Sequence, residues 1–104
     1  MPEVPAQGHV VRAPPEIDFA TAPALAEKLA EALEDRRNVV LDCADVTFCD
    51  STALKVLLAA RRLALALNVE LHIVNPPRAL LRIAAIVQAS ELLGLPPPAA
   101  EDQL

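Results

Sequence analysis

A junction between a strand pattern and a helix pattern, at residues 46–54, limits this sequence to few folds. Upstream of it, Asn38–Asp42 is short, apolar and rich in valine, which is typical of a strand covered on both faces. Downstream, Thr52–Leu67 carries leucines at helical spacing and places its charged residues between them. A buried strand that leads into an amphipathic helix indicates an α/β protein.

Strand and helix patterns alternate through the rest of the chain. Strands are predicted at Gly8–Arg12 and Val69–Val74. A helix begins near Thr21, a suitable cap residue, and another begins at Arg78. Asn68 is a fair stop for the helix between them, and Ser90–Leu95 is predicted to be a short turn of helix closed by Gly94. This order calls for right-handed crossovers between strands. Because few strands are available, we expect a mixed, mostly parallel sheet of about four strands, with helices packed mainly on one face.

Length and charge narrow the classes of function. The chain has 104 residues, enough for one domain with a modest core. We expect residues 9–95 to form it, between a flexible N-terminal tail at 1–8 and a proline-rich acidic C-terminal tail at 96–104. The net charge of -5 argues against nucleic-acid binding, which needs clustered Lys and Arg. No signal peptide or membrane-spanning segment is recognisable, so we expect a cytoplasmic protein that does not insert into membranes.

The sequence lacks the motifs on which enzymes and metal proteins depend. Gly8 and Gly94 are the only glycines, so a glycine-rich phosphate-binding loop is absent. Neither histidine has a nucleophile or metal ligand spaced to meet it. Cys43 and Cys49 form no zinc-binding pattern and are expected to be packed thiols. We therefore expect no enzyme activity, no cofactor and no metal.

Asp50 and Ser51 stand where the strand pattern gives way to the helix pattern. Either side chain can cap a helix, because a short side-chain oxygen accepts hydrogen bonds from the unpaired amides of the first turn. The same helix end tolerates an anion, so it could accommodate a phosphate on Ser51. The residues alone leave two interpretations open, a plain helix cap and a phosphorylation site.

The stretch Val39–Leu54, with Asp50-Ser51-Thr52 at its junction, resembles the core signature of the STAS domain, the fold of bacterial anti-sigma factor antagonists. Glu16–Leu25 resembles the family's Gly-Glu-Leu-Asp segment, a loop beside the phosphorylation site. Val69–Leu81 is similar to the fourth strand and third helix of the family. The resemblance covers roughly His9–Leu95 and implies a small STAS-type α/β domain.

The resemblance also implies a phosphorylation switch. The serine that a partner kinase phosphorylates in the family corresponds to Ser51, and the adjacent Thr52 is a second candidate. The unphosphorylated form would bind an anti-sigma factor serine kinase and release a sigma factor, phosphorylation would end that binding, and a phosphatase would reset it. The oligomeric state is left open by the sequence, and a homodimer is one option. The implied partner-binding residues are Asp18, Asp50, Ser51, Thr52, Ala53, Leu54 and Lys55.

Departures from the family's pattern leave other functions open. Ala53 stands where antagonists commonly have glycine, and Pro14 and Pro15 stiffen the loop before Asp18. One alternative is a constitutive STAS subunit of a membrane lipid-transport ABC complex, which clamps an ATPase and is never phosphorylated. Another is a sensory or scaffold STAS module that binds a small ligand.

Overall fold

The computed structural model of the chain describes residues 8–98. Most of the two predicted tails, 1–8 and 96–104, therefore lies outside the described residues. The described part of the chain contains five strands and three helices. In chain order these are β1 (His9–Arg12), β2 (Glu16–Ile17), α1 (Ala22–Glu34), β3 (Val39–Asp42), β4 (Phe48–Cys49), α2 (Ser51–Leu67), β5 (Leu71–Val74) and α3 (Arg78–Ile86).

The strands form two parallel sheets. The larger has the order β1-β3-β5, with Val11, Leu41 and Ile73 aligned in register. The smaller consists of β2 and β4 alone. The predicted α/β fold is confirmed. It differs in detail, because the strands described are divided between two sheets and every pairing is parallel, where the sequence had predicted one mixed sheet.

Two prolines account for the division into two sheets. Pairing in the larger sheet ends where the Ala13 amide donates to the Asp42 carbonyl at 2.9 Å. Pro14 and Pro15 follow, and neither has an amide hydrogen, so the ladder cannot continue through them. The Pro15 carbonyl then accepts from the Thr47 amide at 2.7 Å, at the start of the smaller sheet.

The helices share one core with one face of the larger sheet. The inward side chains of the sheet, among them Val11 and Leu41, belong to the same buried cluster as the helix leucines. Leu29 of α1 and Leu57 of α2 are almost completely buried. As predicted, the helices pack mainly on this one face. The opposite face carries the aligned residues Val10, Val40 and His72, which lie outside that cluster.

The later part of the chain agrees only in part with the helix ends predicted from the sequence. α2 stops at Asn68 as predicted, in the left-handed region with φ 58° and ψ 42°, and the Asn68 amide donates to the Ala64 carbonyl. The turn of helix predicted at Ser90–Leu95 is instead a series of turns. Gly94 closes it with φ 68°, a conformation that L side chains rarely adopt.

Candidate functional site

Asp50 caps the N-terminus of α2. Its backbone is extended, and its carboxylate Oδ1 accepts a hydrogen bond from the Thr52 amide at 2.9 Å. The Thr52 hydroxyl donates to the same oxygen. These bonds, with the side chain of Thr52 first, lower the pKa of Asp50 below its ordinary value. Asp50 is therefore a negatively charged cap at neutral pH.

Ser51 is the first residue of α2 and is exposed to solvent. Its hydroxyl makes no hydrogen bond to any residue between 8 and 98. Because the Asp50 carboxylate already accepts a hydrogen bond from the first turn of α2, the helix does not need the Ser51 side chain as a cap. The N-terminal end of a helix is electropositive, so it can accommodate an anionic group, such as a phosphate, attached to this hydroxyl.

The Asp18 loop lies beside this helix start because β2 and β4 are parallel. Ile17 is paired with Cys49, and the Asp50 amide donates to the Ile17 carbonyl at 3.2 Å. Asp18 and Asp50 therefore follow neighbouring strand ends. The carboxyl ends of parallel strands are where α/β proteins commonly place their binding sites.

Asp18 shapes its own loop. Its carboxylate accepts from the amides of Ala20 and Thr21, at 2.9 and 3.1 Å. Thr21 occupies the cap position of α1, as the sequence predicted, but its side chain does not cap the helix. The Thr21 hydroxyl donates backward instead, to the Glu16 carbonyl at 2.7 Å. The loop is thus held by its own hydrogen bonds beside the start of α2.

The structure divides the predicted partner-binding residues into three groups by their exposure to solvent. Ser51 and Lys55 are exposed and lie one helical turn apart, so both belong to the surface of α2. Ala53 and Leu54 are only 1% and 5% exposed and pack into the core. Their side chains support the surface from below. The half-buried members are Asp18, Asp50 and Thr52.

Two exposed aromatic residues beside the site were not singled out as functional from the sequence. Phe19, directly after Asp18, is 86% exposed, and Phe48, two residues before Asp50, is 49% exposed. They are the only aromatic residues of the chain. Large apolar side chains placed in solvent near one site are typical of binding surfaces. The sequence signal that could have identified them is their position close to Asp18 and Asp50.

The cysteines are buried and free, as the sequence predicted. Burial raises the pKa of Cys43 to about 12, and the nearby Asp42 carboxylate adds to this effect. Burial likewise raises the pKa of Cys49. Within residues 8–98 no three side chains of the metal-binding types are grouped closely enough to hold an ion. Both thiols are therefore part of the core.

Comparison with known proteins assigns the family. A family model described as the STAS domain matches residues 1–101. The chain belongs to the STAS domain family. Among curated protein sequences, none matches the chain. No helix within the described part of this STAS domain has the length and apolar character required to cross a membrane.

Solved structures with the same fold include two of the protein SpoIIAA. The anti-sigma factor antagonist SpoIIAA in its unphosphorylated form superposes with a TM-score of 0.69 at 15% sequence identity, covering 97% of this chain and 89% of that one. SpoIIAA described as a Bacillus cell fate determinant, in the phosphorylated form, gives a TM-score of 0.67 at 15% identity, covering 97% and 92%. This STAS domain therefore has the fold of an anti-sigma factor antagonist.

Proposed function

We propose that this STAS domain is an anti-sigma factor antagonist controlled at Ser51. Its unphosphorylated form binds an anti-sigma factor serine kinase through the surface around Ser51, and a sigma factor is released. Phosphorylation of Ser51 by that kinase ends the binding, and a phosphatase restores it. The chain itself catalyses no reaction, since ATP is held by the kinase. We place the protein in the cytoplasm with these partners.

The observation that carries the proposal is the separation of roles between Asp50 and Ser51. Asp50 caps α2, whereas the exposed Ser51 hydroxyl bonds to no described residue. A phosphate on Ser51 would break no hydrogen bond of the fold. This favours a modification site over the alternative of a plain cap. Thr52 is the weaker candidate, because its hydroxyl is half-buried and donates to Asp50.

Charge explains how the modification would act on binding. A phosphoserine carries roughly two negative charges at neutral pH. At Ser51 these would stand next to the ionised Asp50, and the nearby Lys55 could balance only one of them. A partner that covers the surface would have to desolvate this excess charge, which is costly without matching cations. The fold stays intact while the affinity falls.

The exposed aromatic residues supply the attractive part of the same surface. Phe19 directly follows Asp18 in its loop, and Phe48 lies two residues before Asp50 at the start of α2; both are exposed. Buried aromatic anchors dominate the binding energy of many interfaces. A partner with an apolar recess beside a polar rim would bury these rings and contact Ser51 together. Such a surface supports a binding module.

The proposal is tested by partner capture with three variants of the full chain. Ser51→Ala keeps the surface neutral and Ser51→Asp adds a negative charge there. Ala59→Asp is the matched control, because it adds the same charge at an exposed position two turns further along α2. Each protein is incubated with cytosol of its own source, and the retained proteins are identified by mass spectrometry.

The expected result is an anti-sigma factor serine kinase retained by Ser51→Ala and by Ala59→Asp but lost with Ser51→Asp. Equal retention of that kinase by all three would contradict the switch. Equal retention of a transporter ATPase would replace the proposal with the constitutive lipid-transport subunit. If no kinase is retained by Ser51→Ala, the antagonist function is wrong.

A further inference from the structure

A small cavity lies between α2, the outer edge of β5 and the turns that follow α3. It is lined by Arg61 of α2, by Leu71–Val74 of β5, and by Leu93 and Gly94. Its volume is about 180 Å³, which is room for about six water molecules at ~30 Å³ each. Arg61 is about 15 Å further along α2 than Ser51, so the cavity is separate from the proposed partner surface.

The side chain of Arg61 lacks a partner within the described chain. Its Nε atom is buried and makes no hydrogen bond. The guanidinium forms no ion pair with any residue between 8 and 98. α2 itself contains no acidic residue. A half-buried cation and a buried donor without an acceptor both cost free energy, so this position calls for an anion.

The edge of β5 adds two backbone donors to the same cavity. β5 is the last strand in the order β1-β3-β5, and its Val74 carbonyl accepts from the Cys43 amide at 3.0 Å, on the β3 side. Because successive residues of a strand direct their backbone groups to opposite sides, the amides of Leu71 and Ile73 point away from β3. Neither amide has a hydrogen bond within the described residues. Both residues line the cavity, so their amides are donors on the side where it lies.

These donors define the class of ligand. The Nε–H and the neighbouring Nη–H of an arginine pair side by side with the two oxygens of a carboxylate. One cation balances a single negative charge, whereas a phosphate carries more than one at neutral pH. His72 supplies no second free cation, because its ring is engaged with the Glu70 carboxylate at 2.7 Å. The cavity therefore favours a monocarboxylate.

The rest of the lining limits the size and polarity of that ligand. Ile73 and Leu93 are buried and apolar, so they suit a hydrocarbon part. Because Leu93 and Gly94 stand beside the β5 edge, the space suits a small molecule better than an added strand. We propose that the cavity binds a short-chain monocarboxylate of about four carbons, with its carboxylate on Arg61. This site does not depend on the proposed control at Ser51.

Titration of the full chain with sodium butyrate at constant ionic strength tests the proposal by nitrogen–proton correlation NMR. The Arg61 Nε–H signal and the amide signals of Leu71 and Ile73 should shift together and saturate. Arg61→Gln should weaken binding by about tenfold or more, because the paired hydrogen bonds are lost. Arg62→Gln is the matched control, since Arg62 is exposed and does not line the cavity, and it should leave the affinity unchanged.

Two further probes separate charge from shape. n-Butanol has a similar hydrocarbon part without the charge, and it should bind about tenfold more weakly than butyrate or not at all. Inorganic phosphate has the charge without the hydrocarbon part, and it should also bind more weakly. Equal affinity for butanol and butyrate, or tighter binding of phosphate, would overturn the assignment to monocarboxylates.

The native chain decides the proposal even without the variants. No saturable shift with butyrate, or a saturable shift that leaves the Arg61 Nε–H signal unmoved, would overturn it. Equal affinity of Arg61→Gln and the native chain would overturn it too. Arg61→Gln should fold normally, because no described residue depends on its guanidinium, and its circular dichroism spectrum should match that of Arg62→Gln.

Discussion

The Asp50 amide donates a hydrogen bond to the Ile17 carbonyl over 3.2 Å. This bond ties the start of α2 to the end of β2, and it exists because the two short strands β2 and β4 pair in parallel. Asp18 and Ser51, far apart in the sequence, consequently belong to one surface. A partner that binds this surface contacts both the Asp18 loop and the start of α2.

The first prediction separates the structural from the regulatory residue at this helix start. Asp50→Ala should lower the melting temperature, because the Thr52 amide loses its acceptor. Ser51→Ala should leave it nearly unchanged, since the fold does not use that hydroxyl. Thermal unfolding followed by circular dichroism measures both. A larger loss for Ser51→Ala than for Asp50→Ala would show that Ser51 is the structural residue.

The second prediction concerns acid. Hydrogen bonds from Asn75 and the Ala44 amide lower the pKa of Asp42, and those from Thr52 lower the pKa of Asp50. A lowered folded-state pKa means that the stabilisation is complete above the ordinary aspartate pKa, about 3.9, and is lost as the pH falls through the lower folded-state value. Urea unfolding midpoints should therefore fall in that acidic range.

The control for the acid prediction is a set of amide variants. Asp42→Asn and Asp50→Asn cannot ionise, so each should flatten the dependence of the urea midpoint on pH. Ala59→Asn introduces an amide at an exposed position of α2 without removing a carboxylate, and should leave the pH dependence as it is. Identical pH profiles for all four proteins would contradict the assignment.

The third prediction concerns the two thiols. Burial raises the pKa of Cys43 to about 12 and also raises that of Cys49, so the reactive thiolate is scarce in the folded chain. A thiol reagent at mildly alkaline pH should react with the native protein only as fast as it unfolds, and at once with both thiols in urea. Rapid reaction of the native chain would show that a cysteine is accessible.

The fourth prediction tests the aromatic part of the binding surface. Phe19→Ala should weaken binding of the captured kinase by about tenfold or more, as for a hot-spot residue. It should not lower the melting temperature, because the ring is 86% exposed. Leu92→Ala is the matched control, since Leu92 is also exposed and apolar but lies after α3. Equal affinity of Phe19→Ala and the native chain would remove Phe19 from the interface.

The sequence predicted most of the fold because its apolar spacing is regular. Leu25, Leu29 and Leu33 recur every fourth residue, and all three are buried in α1. Asn68 likewise marked the end of α2, since asparagine tolerates the left-handed conformation that the chain adopts there. Signals of this kind lie within a short stretch of sequence and do not depend on contacts with distant segments of the chain.

The features that sequence analysis missed depend on contacts between distant segments. The smaller sheet arises because Pro14 and Pro15 interrupt strand pairing, and β2 and β4 are too short to show a pattern of their own. The choice between Asp50 and Ser51 as the cap was open for a similar reason, because both residue types suit that position. The exposure of Phe19 could not be foreseen from a residue type that is usually buried.

The most direct test of the switch compares two pools of the native protein from its own cells, one bound to the kinase and one free. Trypsin cleaves after Arg37 and Lys55, so the fragment 38–55 carries Ser51 and Thr52. We predict that mass spectrometry of this fragment will find phosphate at Ser51 in the free pool and none at Ser51 in the bound pool. Phosphate at Ser51 in equal amounts in both pools, or in neither, would contradict the account.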